Sequence, residues 1–196
     1  MLSMFSTLIV GCSKEDFEDV DSTGLPTPKA NEIYYTTKNG KFLDLSSKKW
    51  FNTTVTSHTV KNDSIFVLTF IKDLEEIELH MFNLLESDNH FWLKSMRLPE
   101  GIKSIGRGAF WRCDNLQSIN IPKSVTKIDG AAFCRWKYER VILTIYCEPF
   151  NPPTIGEILD DTYNIRIFVP TASVETYKAA KGWRDYADCI EGYDFN

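Results

Sequence analysis

Hydrophobic residues recur in the middle of the chain with a fixed spacing of 23 residues. Residues 93–99 follow the pattern Leu-x-x-Met-x-Leu-Pro, and residues 116–122 follow Leu-x-x-Ile-x-Ile-Pro. Beyond this segment, the same spacing relates Phe110 to Phe133. Alternate side chains of a β-strand point to opposite faces, so each unit is predicted to begin with a strand that has an apolar inner face.

The repeat extends in both directions along the chain. Residues 70–82 match residues 98–110 at an offset of 28, and residues 143–145 and 167–170 continue the strand at steps of 24. Such a period is typical of leucine-rich repeats, whose single units bury too little apolar surface to fold alone. We therefore predict an α/β repeat fold, a leucine-rich-repeat solenoid of about five coils that spans residues 71–170.

A stack of repeats needs a cover at each open end. Residues 31–70 are predicted to form an N-terminal β cap. Within it, residues 32–42 alternate around an Asn-Gly pair and predict a hairpin, and residues 64–70 predict a further strand. These strands would cover the first coil.

The other end is predicted to be closed by a C-terminal helical cap over residues 171–196. Residues 171–181 carry apolar side chains at helical spacing, and Gly182 follows as a stop signal. Trp183 and Tyr186 would then seal the last coil.

The repeats and the C-terminal residues carry a family resemblance. Residues 98–110 read LPEGIKSIGRGAF, and the chain later contains Asn-Pro-Pro at 151–153 and Phe-Val-Pro at 168–170. These segments resemble the BspA-type leucine-rich-repeat proteins of Bacteroidetes surfaces, over about residues 31–192. The resemblance implies adhesion or binding of host proteins. The chain is short for that family and its unit at residues 74–82 is degenerate, which implies a small binding surface.

The first residues have the character of a signal peptide. Residues 1–10 are apolar but too short to span a bilayer, and Leu-Ile-Val-Gly-Cys at residues 8–12 resembles the lipobox of bacterial lipoproteins. We predict that residues 1–11 are a lipoprotein signal peptide and that Cys12 carries the lipid, which makes the membrane a partner through this anchor. Residues 1–7 lack the usual Lys or Arg, so we expect translation to start further upstream.

Residues 12–30 form a predicted acidic tether. Residues 13–24 contain five acidic side chains and one basic side chain, and Pro-Thr-Pro follows at 26–28. Such a stretch is not expected to pack and should behave as an extended linker. An acidic run after a lipidated Cys also resembles the export signal of Bacteroidetes lipoproteins. The predicted location is therefore the outer membrane, lipid-anchored and surface-exposed, and the alternative is a tether that is only a solvated spacer.

Composition narrows the class of partner. The 196 residues carry a formal net charge of -5, and 43% of them are apolar. This is enough apolar material for a core, but a mildly acidic chain lacks the positive charge that a phosphate backbone requires. Nucleic acid is therefore excluded as a partner.

Catalytic and metal-binding patterns are absent from the sequence. It contains no Gly-x-Ser-x-Gly, His-Glu-x-x-His or Cys-x-x-Cys motif. The glycines within residues 101–108 lack the Lys and hydroxyl of a phosphate loop, and we interpret them as turn residues. The histidines, which have no metal-ligand spacing, are His58, His80 and His90. We predict no enzymatic activity, no metal and no cofactor.

The cysteines other than Cys12 leave a question about disulfides. They are Cys113, Cys134, Cys147 and Cys189. An exported protein can form disulfides, and four cysteines allow three pairings. Cys113 takes the position of Trp136 in the next repeat, just after a buried Phe, which favours an interior thiol. Whether any of the four cysteines pair stays open.

The outward strand positions form the predicted binding face. One row is expected to run through five strands, and Arg166 lies in the neighbouring row. The residues expected to contact a ligand are Thr69, Arg97, Asn120, Thr144, Arg166 and Phe168. This mixture suits a protein or a glycan better than a polyanion. Five strands about 4.8 Å apart give a face on the order of 300 Å², below the roughly 800 Å² per partner of a standard interface.

These features favour a cell-surface lipoprotein that acts as a non-catalytic binding or adhesion module, with host or neighbouring-cell protein as its ligand. A second hypothesis is a glycan-binding accessory lipoprotein. It requires that Phe168 and nearby Trp or Tyr side chains form an exposed stacking platform. A third hypothesis is a structural envelope lipoprotein with no external ligand, in which the outward rows are ordinary solvent-exposed sheet.

Overall fold

The computed structural model describes residues 23–43, 53–62, 64–82, 92–135, 141–157 and 165–195. In these parts of the chain it contains twelve strands, which are β1 Glu32–Thr37, β2 Val55–Lys61, β3 Ile65–Phe70, β4 Glu76–Ile77, β5 Leu93–Arg97, β6 Ser104–Ile105, β7 Ser118–Ile121, β8 Lys127–Ile128, β9 Leu143–Cys147, β10 Thr154–Ile155, β11 Ile165–Pro170 and β12 Ile190–Tyr193. The described helices are few and short: α1 spans Val174–Ala179, with 3₁₀ turns at Thr171–Ser173 and Trp183–Cys189. The fold is therefore mostly sheet, with less helix than an α/β repeat implies.

The strands form two sheets. The larger sheet has eight strands in the order β12-β11-β9-β7-β5-β1-β3-β2, and its strands β5, β7, β9, β11 and β12 are parallel. The smaller sheet has the order β10-β8-β6-β4, and its two-residue strands are also parallel. Successive units thus add one strand to each sheet, which is the arrangement of a repeat fold.

The predicted inward positions fill the core of this repeat. The rings of Phe82, Phe110 and Phe133 stack in sequence, with centroids 5.3 Å apart and interplanar angles of 1° and 2°. Ile105 and Ile128 occupy equivalent places on neighbouring strands of the smaller sheet and are fully buried. The offsets of 28 and 23 residues are therefore confirmed.

A turn recurs at the same position in three successive units. His80, Gly108 and Ala131 have φ values of 54°, 60° and 58°, and they are separated by the same offsets as the stacked phenylalanines. Gly106 lies so close to the backbone of Leu79 that an added Cβ would lie 2.8 Å from its nitrogen. The interpretation of these glycines as turn residues is confirmed, because close approach and positive φ both favour glycine.

The predicted N-terminal hairpin is wrong. Strand β1 lies between β3 and β5 and is antiparallel to both, so its partners come from later in the chain. Residues 41–43 form no strand, although the amide of Leu43 donates to the hydroxyl of Tyr35 at 3.3 Å. Ile33 and Tyr35 are buried in the core, and this burial explains why β1 is inserted into the sheet.

The C-terminal residues contain less helix than predicted. The predicted helix at residues 171–181 is a 3₁₀ turn followed by α1, and Gly182 has a φ of 85°. The indole of Trp183 is buried and donates to the carbonyl of Pro153 at 2.7 Å. Tyr186 packs half-buried against the core. Strand β12 follows and pairs with β11, which the sequence pattern did not predict.

Four cysteines lie in the part of the chain that the structure describes. Cys113, Cys134 and Cys147 are buried, and Cys189 is half-buried. The thiol of Cys113 donates to the carbonyl of Phe82 at 3.3 Å, so the prediction of an interior thiol at this position is confirmed. Burial raises the pKa of Cys147 to about 12, so this thiol stays protonated at neutral pH.

The predictions for the signal peptide, the lipidated Cys12 and the acidic run fall on residues 1–22, which lie outside the described residues. His90 and Trp136 also lie outside them. Among the helices that are described, none has the length and apolar character needed to cross a membrane.

Candidate binding face

The outward face of the larger sheet carries a continuous row of side chains. The strand pairings place seven residues side by side, in the order Val67, Tyr34, Arg97, Asn120, Tyr146, Phe168 and Glu191. A second row contains Ser95, Ser118, Thr144 and Arg166. These rows are the closest match in the structure to the predicted binding face.

Two residues were assigned to the wrong row. Thr144 lies opposite Ser118 and Arg166, and Thr69 lies opposite Glu32, so neither belongs beside Arg97 or Phe168. The steps along the true row are 26 residues from Asn120 to Tyr146 and 22 to Phe168, rather than 24 each. Because the error is two residues, these side chains point to the predicted side of the sheet but lie in a different row.

Asn120 is part of the fold rather than an exposed contact. It is only 2% exposed, and its carbonyl oxygen accepts a hydrogen bond from the amide of Leu98 at 2.6 Å. Its amide nitrogen donates weakly to the Leu98 carbonyl and to Glu148, at 3.4 and 3.5 Å. The expectation that Asn120 contacts a ligand is therefore corrected, because its polar atoms hold the ends of neighbouring repeats together.

The first part of the outer row, which we call the covered patch, is occupied by the chain itself. Leu25 packs on Tyr34 and Val67, and these three side chains are between 1% and 6% exposed. The guanidinium of Arg97 donates to the carbonyl of Leu25 at 2.7 Å. Pro26 and Pro28 are also buried. The expectation that the whole tether stays unpacked is therefore wrong for its last residues.

Near the other end of the row lies a cluster that we call the aromatic patch, which comprises Tyr146 and Phe168 of the row together with Tyr193 and Phe195. Tyr146 and Phe168 stack at 5.3 Å, and the ring of Tyr193 contacts both at 5.6 Å. Phe195 contacts Tyr193 at 4.9 Å. The rings are half-buried, except Tyr193, which is exposed. The aromatic patch therefore presents apolar ring surface to solvent.

Arg166 borders the aromatic patch. Its guanidinium lies 5.2 Å from the centroid of the Phe168 ring and forms an exposed ion pair with Glu191 at 3.3 Å. Aromatic and Arg side chains are the residues that most often dominate protein interfaces. Of the predicted contact residues, the structure brings Arg166 and Phe168 together, and it places Arg97 in the covered patch.

A groove continues the outer face beyond the ends of the strands. It has a volume of about 860 Å³, and its walls follow directly after β7, β9, β11 and β12. Tyr193 and Phe195 belong both to the groove and to the aromatic patch. The remaining apolar wall is formed largely by prolines and by Phe150, which is 64% exposed. This volume is within the range of sites that hold a ligand of a few hundred daltons.

A partly desolvated carboxylate lies in the groove wall. Burial raises the pKa of Glu148, and the nearby Glu100 raises it further. The hydrogen bond from the Asn120 side chain and the charges of Lys123 and Arg97 lower the pKa of Glu148. Asp194 also lines the groove, where its carboxylate accepts a hydrogen bond from the hydroxyl of Thr171 at 2.7 Å.

Sequence reasoning missed three tyrosines of this face. Tyr34 was expected in a hairpin, Tyr193 is the last residue of a strand that was not predicted, and Tyr146 was displaced by the register error. A signal for Tyr146 was present, because aligning Ile145 and Cys147 with Ile119 and Ile121 puts Tyr146 beside Asn120. Among the described residues, no group of three His, Cys, Asp or Glu side chains could hold a metal ion.

Comparison with protein families identifies the repeats. A family model described as "BspA type Leucine rich repeat region" matches residues 53–151 in six copies. Repeats of this kind are generally non-catalytic and commonly mediate protein interactions. No curated protein matches the chain.

Proposed function

Because the chain belongs to the BspA-type leucine-rich-repeat family, we propose that it is a non-catalytic binding and adhesion module whose ligand is a protein. The repeats would form a short solenoid, closed by β1 to β3 at one end and by α1 and β12 at the other. The observation that carries the proposal is the aromatic patch, because it is the part of the outer row where ring surface remains accessible.

The chemistry of the aromatic patch favours protein over glycan. Sugars stack on the faces of aromatic rings, whereas Tyr146 and Phe168 turn ring faces toward each other across neighbouring strands, 17° from parallel. Arg166 lies over Phe168. A cluster of aromatic rings with an adjacent Arg resembles the hot spot of a protein interface, where a few such side chains supply most of the binding energy.

We further propose that the module is held at the cell surface by a lipid on Cys12, in the outer membrane and facing outward. This part of the proposal rests on the sequence, namely the lipobox-like residues 8–12 and the acidic residues that follow. Several acyl chains on one Cys give a stable anchor, since each buried methylene contributes about 0.8 kcal/mol. Adhesion to a host or neighbouring cell would follow from this placement.

Adhesion can be tested with immobilised extracellular host proteins. Cells that display the full chain should bind to these proteins. Cells that display the double variant Tyr146→Ala with Phe168→Ala should bind at least tenfold less. Ile71→Ser is a matched control, because Ile71 is an exposed apolar residue outside the aromatic patch and the groove. Equal adhesion by wild type and the double variant, at equal surface levels, would rule out the aromatic patch as the binding surface.

Location can be tested with a membrane-impermeant label on intact cells. We expect wild type to be labelled, and a variant with residues 15, 16, 18 and 19 neutralised to be labelled much less. Lysed cells show that both proteins can be detected. Protection of wild type in intact cells would place the domain inside the envelope and support the structural lipoprotein instead.

Glycan binding is the second candidate function, and one observation favours it. Phe168 is not fully buried, and Tyr146 and Tyr193 lie beside it, as a stacking platform requires. Binding of the wild-type chain to an oligosaccharide array, lost in Phe168→Ala and kept in Ile71→Ser, would establish this function in place of protein binding.

A further inference from the structure

The groove at the ends of β7, β9, β11 and β12 differs from the aromatic patch in shape and charge. We propose that this groove binds an extended, proline-containing peptide segment that carries a basic residue. The inference deepens the proposed function, since it rests on a protein ligand and names the part of that ligand which the groove holds.

The first argument is the apolar wall of the groove. Proline and aromatic rings line it, namely Pro149, Phe150, Pro152, Pro170, Tyr193 and Phe195. Grooves lined with aromatic rings hold proline-rich chains, because a polyproline II segment is already extended and loses little entropy on binding. Phe150 supplies the most accessible ring of this wall, with 64% of its surface exposed.

The second argument is that the loop beneath the groove is held in place. The hydroxyl of Tyr177 donates to the carbonyl of Pro149 at 2.7 Å, and the indole of Trp183 donates to the carbonyl of Pro153 at 2.7 Å. Both donors are fully buried. A wall fixed in this way needs no ordering when a ligand binds, which favours affinity.

The third argument is the covered patch, where the same sheet face already holds such a segment. In the segment Leu-Pro-Thr-Pro at residues 25–28, Leu25 packs on Tyr34 and Val67, and both prolines are buried. Arg97 donates to the carbonyl of Leu25. Tyr34 belongs to the outer row that continues to the aromatic patch and the groove, so an extended Leu-Pro segment is a ligand type that this face accommodates.

The fourth argument is charge. Glu148 and Asp194 line the groove together with one cation, Lys123, and Glu100 lies close enough to act on Glu148. The acidic groups outnumber the basic one, so a Lys or Arg in the ligand would gain and an acidic residue would be repelled. Arg97 also acts on Glu148 from the covered side, and its hydrogen bond to Leu25 directs its guanidinium toward residues 25–28.

The test uses the full chain and the fluorescein-labelled peptide Pro-Leu-Pro-Thr-Pro-Lys-Pro, with binding followed by fluorescence anisotropy. Two matched peptides replace Lys by Gln, or every Pro by Gly. We expect the Gln peptide to bind about fivefold more weakly and the Gly peptide at least tenfold more weakly. Glu148→Gln should bind the Lys and Gln peptides with affinities that differ by less than twofold.

Variants then locate the site. Phe150→Ser should weaken binding of the Lys peptide about tenfold, and Ile71→Ser, which removes a side chain of similar exposure elsewhere, should leave it unchanged. Thermal unfolding of both variants verifies the fold, and Phe150→Leu should restore part of the affinity because it retains apolar contact. Phe168→Ala should reduce adhesion while changing peptide binding less than threefold, so the two proposals fail separately.

Four results would overturn the inference. The first is that wild type fails to bind the Lys peptide, and the second is that it binds the Gly peptide as tightly as the Lys peptide. The third is that the Phe150→Ser variant binds the Lys peptide as tightly as the Ile71→Ser variant does, which would mean that the peptide binds to another surface. The fourth is that an oligosaccharide probe binds and needs Phe150 for binding, whereas peptide binding does not depend on Phe150, which would mean that the groove binds a glycan.

Discussion

The covered patch and the aromatic patch lie on the same face of the same sheet, in the same row of outward positions. In the covered patch, Tyr34 is 5% exposed because Leu25 packs on it and Arg97 fixes the Leu25 backbone. In the aromatic patch, Tyr146 and Phe168 occupy the equivalent positions but pack mainly on each other. One end of the row has a partner from its own chain, and the other end keeps accessible ring surface.

This difference shows two ways in which a small repeat protein can stabilise aromatic side chains on the outward face of its sheet. An aromatic side chain on an outward strand position is stabilised when a segment covers it, and the N-terminal residues provide that segment at one end. At the other end the rings stabilise one another by stacking. The surface left over is small, which is why the adjoining groove matters for any tight complex.

The largest expected effect comes from the residue that covers the first patch. Leu25→Ala should lower the free energy of unfolding by about 2 to 5 kcal/mol, because a buried Leu loses its apolar contacts and leaves a cavity. Urea denaturation of wild type and variant measures the difference. Leu79→Ala is the matched control, since Leu79 is 55% exposed and its truncation should cost within about 0.5 kcal/mol.

Equal stability of the Leu25→Ala and Leu79→Ala variants would contradict the distinction between the covered patch and the aromatic patch. Residues 25–28 would then contribute nothing to the folded state, and the first part of the row would be as accessible as the last. Hydrogen exchange at the amides of β1 and β3 gives a second measure, because losing the cover should speed exchange there and leave β9 and β11 unchanged.

The next largest effect separates the two arginines that were both expected to bind ligand. Arg97→Ala should cost about 1.5 to 3 kcal/mol, because the charged hydrogen bond to the Leu25 carbonyl is partly buried. Arg166→Ala should cost less than about 1 kcal/mol, because its ion pair with Glu191 is exposed. Equal costs in urea denaturation would show that Arg97 does not hold the covering segment.

The contrast between these arginines also shows what could be predicted from sequence. The repeat was predictable, because only apolar side chains fit the inward positions and their spacing is visible along the chain. The insertion of β1 between β3 and β5 was not, because strand pairing over a long sequence separation leaves no periodic signal. The role of Arg97 depends on the same kind of long-range contact, 72 residues from Leu25.

The predicted rows of outward residues were wrong in detail for a related reason. Thr144 and Tyr146 lie two residues apart on β9, so they point the same way and apolar alternation cannot distinguish their rows. Asn120 was assigned from its outward position, although a side chain at the end of a strand can turn to the neighbouring backbone. The alternation of side chains therefore defines the face, and backbone pairing defines which residues meet.

A smaller effect tests whether the aromatic patch stabilises itself. Tyr146→Ala and Phe168→Ala, measured singly and together, should give a coupling energy of about 0.5 to 1.5 kcal/mol, the range for stacked aromatic pairs. Thr144→Ala with Arg166→Ala provides the control cycle, because this pair joins the same two strands without ring stacking. Coupling no larger than in the control would mean that the two rings are held by the sheet alone.

The smallest effect is a pH dependence of stability, to which His58 and Glu148 contribute with opposite sign. His58 on β2 is half-buried, bonds to the hydroxyl of Tyr35, and has a pKa lowered by burial. Below about pH 6.5 the unfolded chain therefore binds the proton first, so His58 should make stability fall as the pH falls. The raised pKa of Glu148 acts the other way, because the folded state then binds the proton first and stability falls as the pH rises above about 4.5.

Urea midpoints of wild type, His58→Gln and Glu148→Gln between pH 4.5 and 7.5 would separate these two contributions. Loss of the Tyr35 hydrogen bond in His58→Gln shifts its curve by a constant amount, so only the slope reports the ionisation. We expect His58→Gln to lose stability less steeply on acidification than wild type, and Glu148→Gln to lose it more steeply. Parallel curves for all three proteins would mean that burial of His58 and Glu148 does not change the free energy of unfolding with pH.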